Sequence, residues 1–216
     1  VFIKDPASAI THFIGACLAA VAAFPLMYRS LVYGSSTTAA AAFVFIISMV
    51  VLYSASSIYH TFDLDKKRNV ILRKIDHMSI YFLIAGTYTP ICLVVLKNAT
   101  GHKLLSIVWG LAVIGMIFNA CWITCPKWLS SSIYIAMGWL CVLTFSQLLN
   151  SLPFAAFMWL LIGGIIYTVG GVIYALKLQI FNTKHKVFDS HAVFHLFVMG
   201  GSICHFVMIY KYVVLY

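Results

Sequence analysis

Residues 37–60 read TTAAAAFVFIISMVVLYSASSIYH, an apolar run without Asp, Glu, Lys or Arg that ends in a histidine. Crossing a ~30 Å hydrocarbon core takes ~20 helical residues, so this run is long enough to span a membrane. Six further runs of similar character follow or precede it, at 8–27, 76–96, 104–124, 129–149, 154–176 and 190–214. The chain is 63% hydrophobic and only 9% charged, whereas soluble domains carry about 25% charged residues. A membrane β-barrel would instead show short segments of alternating polarity. The expectation is therefore an all-α integral membrane bundle of seven transmembrane helices, forming a single domain over residues 1–216.

The net charge of +9 would suggest nucleic acid in a soluble protein, but its distribution here points to a membrane surface, and no nucleic-acid partner is expected. Lys4, Lys66, Lys67, Arg68, Arg73, Lys74, Lys127, Lys177, Lys184 and Lys186 fall on the N-terminal side of the bundle. Arg29, Lys97, Lys103 and Lys211 fall on the other side. The positive-inside rule then places the N-terminus in the cytoplasm and, with an odd number of spans, the C-terminus outside. The basic face is expected to meet anionic lipid headgroups. All the acidic residues (Asp5, Asp63, Asp65, Asp76 and Asp189) lie on that face too, so the chemistry of the chain is concentrated there. The connections 61–74 and 178–189 also belong to it and are candidates for a mobile cover.

Ionisable side chains inside apolar helices are costly and mark function by default. His191 and His195 are four residues apart, which puts both imidazoles on one helix face about 6 Å apart. His60 ends the second run at the level where the seventh begins. Three histidines then leave one tetrahedral position open, as in a catalytic zinc site. Asp76, in Lys74-Ile75-Asp76-His77, opens the third run on the same face and suits a general base or a residue that orients a ligand. Ser56 lies one turn deeper than His60 and points the same way. An all-nitrogen set without a nearby thiolate favours zinc over copper, while iron and manganese stay open.

The remaining candidates carry less. His12 reaches about the same level and reads as cavity lining or support. His205 lies about 15 Å deeper than His195 at 1.5 Å per residue, so it cannot share the ion and reads as a packed or hydrogen-bonded core histidine. The six cysteines read as small apolar residues, Cys121 and Cys125 included. Asn119 and Gln147 should bond neighbouring helices. Pro90 should kink the third helix or sit where neighbours satisfy the freed carbonyl.

Asp76-His77-Met78-Ser79-Ile80-Tyr81, Leu83-Ile84-Ala85-Gly86-Thr87-Tyr88-Thr89-Pro90 and His191-Ala192-Val193-Phe194-His195-Leu196-Phe197-Val198 resemble the bacterial hemolysin III family. That family belongs to the progestin and adipoQ receptor superfamily, which includes the adiponectin receptors and is related to alkaline ceramidases. The resemblance covers the whole chain from Asp5 onward. It implies seven helices, a cytoplasmic N-terminus and a zinc near the cytoplasmic face. It places the superfamily's Ser-x-x-x-His on Ser56 and His60, its aspartate on Asp76 and its His-x-x-x-His on His191 and His195. A first motif, usually with glutamate and asparagine, is similar to Asp5, Ser8 and His12.

The leading expectation is a zinc-dependent hydrolase of a lipid amide or ester, with Asp76 and Ser56 as its catalytic residues. The chain would sit as a multi-pass protein in the cell membrane, with a lipid acyl chain among its helices. A sensor or regulator of membrane lipid state with a structural zinc is the second reading. A pore-forming cytolysin, suggested by the family name, ranks third because the helices lack a repeating polar stripe.

Overall fold

A computed structural model describes residues 3–176 and 189–216. Every regular element among these residues is helical, and seven spans are long and apolar enough to cross a membrane. The first is α1 (Pro6–Tyr33) and the second α2 (Ser36–Thr61). The third is α3 (Lys66–Pro90), which continues into a π-helical turn at Ile91–Val95. The fourth is α4 (Ala99–Cys121). The fifth joins α5 (Lys127–Gly138) through a 3-10 turn at Trp139–Thr144 to the short α6 (Phe145–Ser151). The last two are α7 (Phe154–Leu176) and α8 (Ser190–Lys211), the latter ending in a 3-10 turn at Val213–Leu215.

The helices close into a ring. α1 packs on α2, α2 on α3, α3 on α4 and α5, α5 on α7, α7 on α8, and α8 back on α1. The inner members are evident from burial. In the most apolar stretch of each span, 72% of residues are buried in the third and 56% in the second and seventh, against 17–28% elsewhere. The outer helices turn large apolar side chains outward, among them Val21, Phe24, Leu31, Leu143 and Phe154. So large an apolar exterior suits lipid rather than water.

The third span differs from the expected 76–96. α3 begins at Lys66, so the segment 61–74 is mostly helix and the true connection is only Phe62–Asp65. The reason is local. Asp65 caps the helix by accepting from the Arg68 N–H at 3.0 Å, and the Lys66-Lys67-Arg68 run consists of good helix formers. Apolar periodicity marks where a helix is buried, not where it starts, and this first part of α3 is largely exposed. Of the other proposed cover, residues 178–188 lie outside the described residues, and Asp189 is the cap of α8.

Pro90 does not end its helix. The proline has no N–H and crowds the preceding turn, and the chain widens after it into the π-helical turn. Thr87 and Thr89 hydroxyls donate back to the carbonyls of Leu83 and Ala85. The intramembrane amides pair across helices, Asn119 with the Tyr134 hydroxyl at 2.9 Å and Gln147 with Thr100.

Candidate metal centre

One end of the bundle carries the chain start, the end of α2 and the start of α8. Backbone bonds fasten the first two together, from Lys4 N–H to the Thr61 carbonyl and from Asp5 N–H to the His60 carbonyl. Asp189 fixes the third. Its carboxylate accepts from the N–H groups of both His191 and Ala192, capping α8 so that His191 falls in the first turn and His195 one turn deeper.

The three histidines predicted as ligands meet. His191 Nε2 lies 3.1 Å from His60 Nε2 and 3.2 Å from His195 Nε2. The potential ligand atoms of the three all fall within 4.8 Å of one another, and the group could hold a metal ion. Two nitrogens bound at ~2.0–2.1 Å to one tetrahedral ion sit about 3.3 Å apart, so the observed spacing matches.

Protonation states sharpen the fit. His60 Nδ1 lies 2.9 Å from the Asp5 carboxylate. A carboxylate only accepts, so Nδ1 carries a proton, and in the tautomer this selects Nε2 is a bare lone pair. His195 Nδ1 faces the Ser8 carbonyl at 3.2 Å and the Thr11 hydroxyl at 3.4 Å. That hydroxyl already donates to the carbonyls of Ala7 or Ser8. His195 Nδ1 therefore donates as well, and its Nε2 is likewise bare. Two lone pairs converge on the single Nε2 of His191, which has at most one proton to offer. A cation at the centre resolves this conflict for all three rings. Asp5 and the Ser8 carbonyl are the kind of outer partner that fixes a ligating imidazole.

His12 supports the cluster from the side. Its ring stacks on His195 with centroids 3.6 Å apart and planes 8° from parallel, and it meets Tyr53 edge-on. Tyr174 flanks His191 with a centroid distance of 5.2 Å.

Two cavities reach this cluster. A polar one is lined by Lys4, Asp5, Tyr59, His60, Arg73, Lys127, Asp189 and His191, among others. A deep, mainly apolar one is lined near its top by His12, Ser56, Asp76, His77, Ser131, His191 and His195. His191, His77 and Tyr174 line both. Asp76 and Ser56 thus share a wall with the cluster. Asp76 is buried, and its carboxylate lies 3.3 Å from His77 Nδ1. Ser56 is 1% exposed, and its hydroxyl has no hydrogen-bond partner among the described residues.

Sequence reasoning placed His60, His191, His195 and Asp76 at one level, with Ser56 one turn deeper. It gave no firm part to Asp5 or to the His77 contact with Asp76. Asp5 precedes the first apolar run, and only an N-terminal segment folding onto the end of α2 brings it to His60. His205 is buried as expected, but it lines the deep cavity, and among the described residues neither ring nitrogen has a partner at full hydrogen-bond geometry.

The haemolysin-III related family model matches residues 1–206. The chain is 40% identical over 211 residues to the hemolysin-3 homolog of Bacillus subtilis (strain 168), covering 98% of this chain and 95% of that protein. It is 37% identical over 213 residues to hemolysin-3 of Bacillus cereus, covering 98% and 93%. With seven apolar spans and relatives of this kind along its whole length, the chain belongs to the hemolysin III family of the progestin and adipoQ receptor superfamily and is a multi-pass cell-membrane protein.

Proposed function

We propose that this protein is a zinc-dependent hydrolase that cleaves a lipid amide or ester. The observation that carries this reading is the position of the three-histidine cluster, between a charged opening and an apolar cavity. An amphiphile fits that junction, with its head in the polar cavity, its chain in the apolar one and its carbonyl beside the histidines. Nitrogen donors without a thiolate suit zinc. When bound, zinc polarises a carbonyl and lowers the pKa of water to about 7.

The protein's own groups complete the chemistry. Asp76 accepts a proton from the water whose oxygen bonds to the carbonyl carbon. It returns that proton to the leaving nitrogen or oxygen as the C–N or C–O bond breaks. Ser56 has an unused hydroxyl on the same wall and donates to the substrate carbonyl or the attacking water. The apolar lining excludes bulk water from the chain. The products are a fatty acid and an amine or alcohol.

The test is fatty-acid release by zinc-loaded protein from a panel of ceramides and acyl esters in mixed micelles. Release that stops on chelation and returns with zinc supports the hydrolase. A zinc-loaded protein inert on the whole panel supports the sensor reading instead. Leakage of a dye from protein-containing vesicles, without lipid cleavage, would favour the pore suggested by the relatives' name.

Asp5 gives a graded check on the metal site. Asp5→Ala removes the acceptor that fixes the His60 tautomer, and zinc affinity measured by chelator competition should fall about 10–100-fold. An unchanged affinity would mean that His60 needs no such partner.

The proposed orientation puts the charged opening in the cytoplasm, because the basic residues gather at that end. A cysteine introduced at Arg68 should stay unlabelled when intact cells meet an impermeant thiol reagent, while one at Lys103 should react. The opposite pattern would invert the topology.

A further inference from the structure

The deep cavity has a second polar pole far from the histidine cluster. Between the two, its wall is apolar, with Leu52, Ile80, Leu83, Ile84 and Val198. His205 lines the far end. It lies ten residues past His195 on α8, which is about 15 Å at 1.5 Å per residue.

His205 is 7% exposed, and among the described residues neither ring nitrogen has a partner at full hydrogen-bond geometry. The Leu160 backbone carbonyl lies by the ring and takes the proton of one ring nitrogen, which leaves the other nitrogen as an acceptor. A buried imidazole nitrogen left unpaired is costly, so such groups are normally satisfied. The ring is also held in place deliberately. It sits against Gly163, where any side chain would run into it. Tyr167 meets it edge-on with centroids 5.4 Å apart.

Tyr167 also lines the cavity and ends a hydroxyl relay. The Tyr53 hydroxyl donates to Ser202 Oγ at 2.6 Å, and Ser202 lies 2.8 Å from the Tyr167 hydroxyl. Tyr53 also reaches the Val198 carbonyl at 3.4 Å, and either hydroxyl can donate between Ser202 and Tyr167; with Ser202 as that donor, the Tyr167 O–H donates to a ligand. The far end then offers one acceptor, a His205 nitrogen, and one donor, Tyr167. A single hydroxyl satisfies both, because it donates and accepts at once.

We propose that His205 and Tyr167 form a second binding subsite that receives a hydroxyl carried far along the ligand's hydrocarbon chain, so that the preferred lipid is a chain-hydroxylated one. The inference rests on the lipid-hydrolase reading, since the chain must enter from the histidine cluster.

Binding to the zinc-loaded protein tests it without turnover. Three fatty acids of equal length compete with a fluorescent fatty acid: one plain, one hydroxylated next to the carboxylate, and one hydroxylated near the methyl end. The last should bind about tenfold tighter than the plain acid, as one buried hydrogen bond at an otherwise unpaired site implies. The hydroxyl next to the carboxylate should give no such gain. His205→Phe should erase the preference while zinc content stays at the wild-type level, and Tyr167→Phe should reduce it. Equal binding of the plain and methyl-end-hydroxylated acids by wild type overturns the subsite and leaves the hydrolase reading standing. So does a preference that persists in both zinc-loaded variants. Failure of every acid to displace the probe overturns the subsite together with the lipid cavity. If His205→Phe does not fold, the wild-type comparison and Tyr167→Phe decide.

Discussion

The double substitution His191→Ala/His195→Ala should leave the purified protein without bound transition metal. It removes two of the three rings whose nitrogens converge within 3.2 Å of a neighbour. His60 alone, even with Asp5 behind it, offers a single donor atom. Changing an outer partner of a metal ligand already costs 10–100-fold in affinity, so losing two ligands should cost far more. The helices should survive, because the spans are set by apolar length rather than by the ion. Metal content by mass spectrometry and helicity by circular dichroism make the comparison. A helical double variant that keeps a full complement of metal would show that the ion sits elsewhere, if the protein carries one.

The second large effect concerns turnover. Asp76→Asn should keep its metal, because the three rings that converge do so without Asp76. It should nevertheless lose 10²–10⁴-fold in fatty-acid release, because an amide cannot accept a proton. The substitution is close to isosteric, and Asp76 keeps its neighbour His77, so the fold should hold. If the metal is structural, the same variant should change thermal stability alone, and any lipid-linked signal should persist in the folded fraction. Equal release by wild type and a zinc-loaded Asp76→Asn protein would remove this carboxylate from the mechanism.

Much of this architecture was legible in the sequence because the bilayer enforces it. Seven apolar runs become seven spans, and the predicted 37–60 and 154–176 lie within a residue of α2 and α7. The histidine cluster was legible for a related reason. Histidines in a chain with so few ionisable groups stand out, and depth follows from counting residues along each helix. Where the reading failed, it lacked that constraint. Outside the apolar region, nothing in the hydropathy pattern marks the start of α3, and the Asp65 cap decides it instead. The Asp5–His60 contact depends on how a short N-terminal segment folds back. His205 was read as a core residue from its depth. Depth cannot tell a satisfied imidazole from an unsatisfied one, because that turns on which side chains of α7 lie opposite.

The proposed function requires three histidine nitrogens to hold a metal whose remaining position faces a lipid cavity. X-ray absorption spectroscopy on the purified protein, paired with metal quantification, tests it most directly. The expected result is about one zinc per chain, with three imidazoles and one further oxygen or nitrogen at ~2.0–2.1 Å, and the imidazole signal collapsing in His60→Ala. A spectrum with sulfur at ~2.3 Å, or a protein that binds no metal with all three histidines intact, would contradict it.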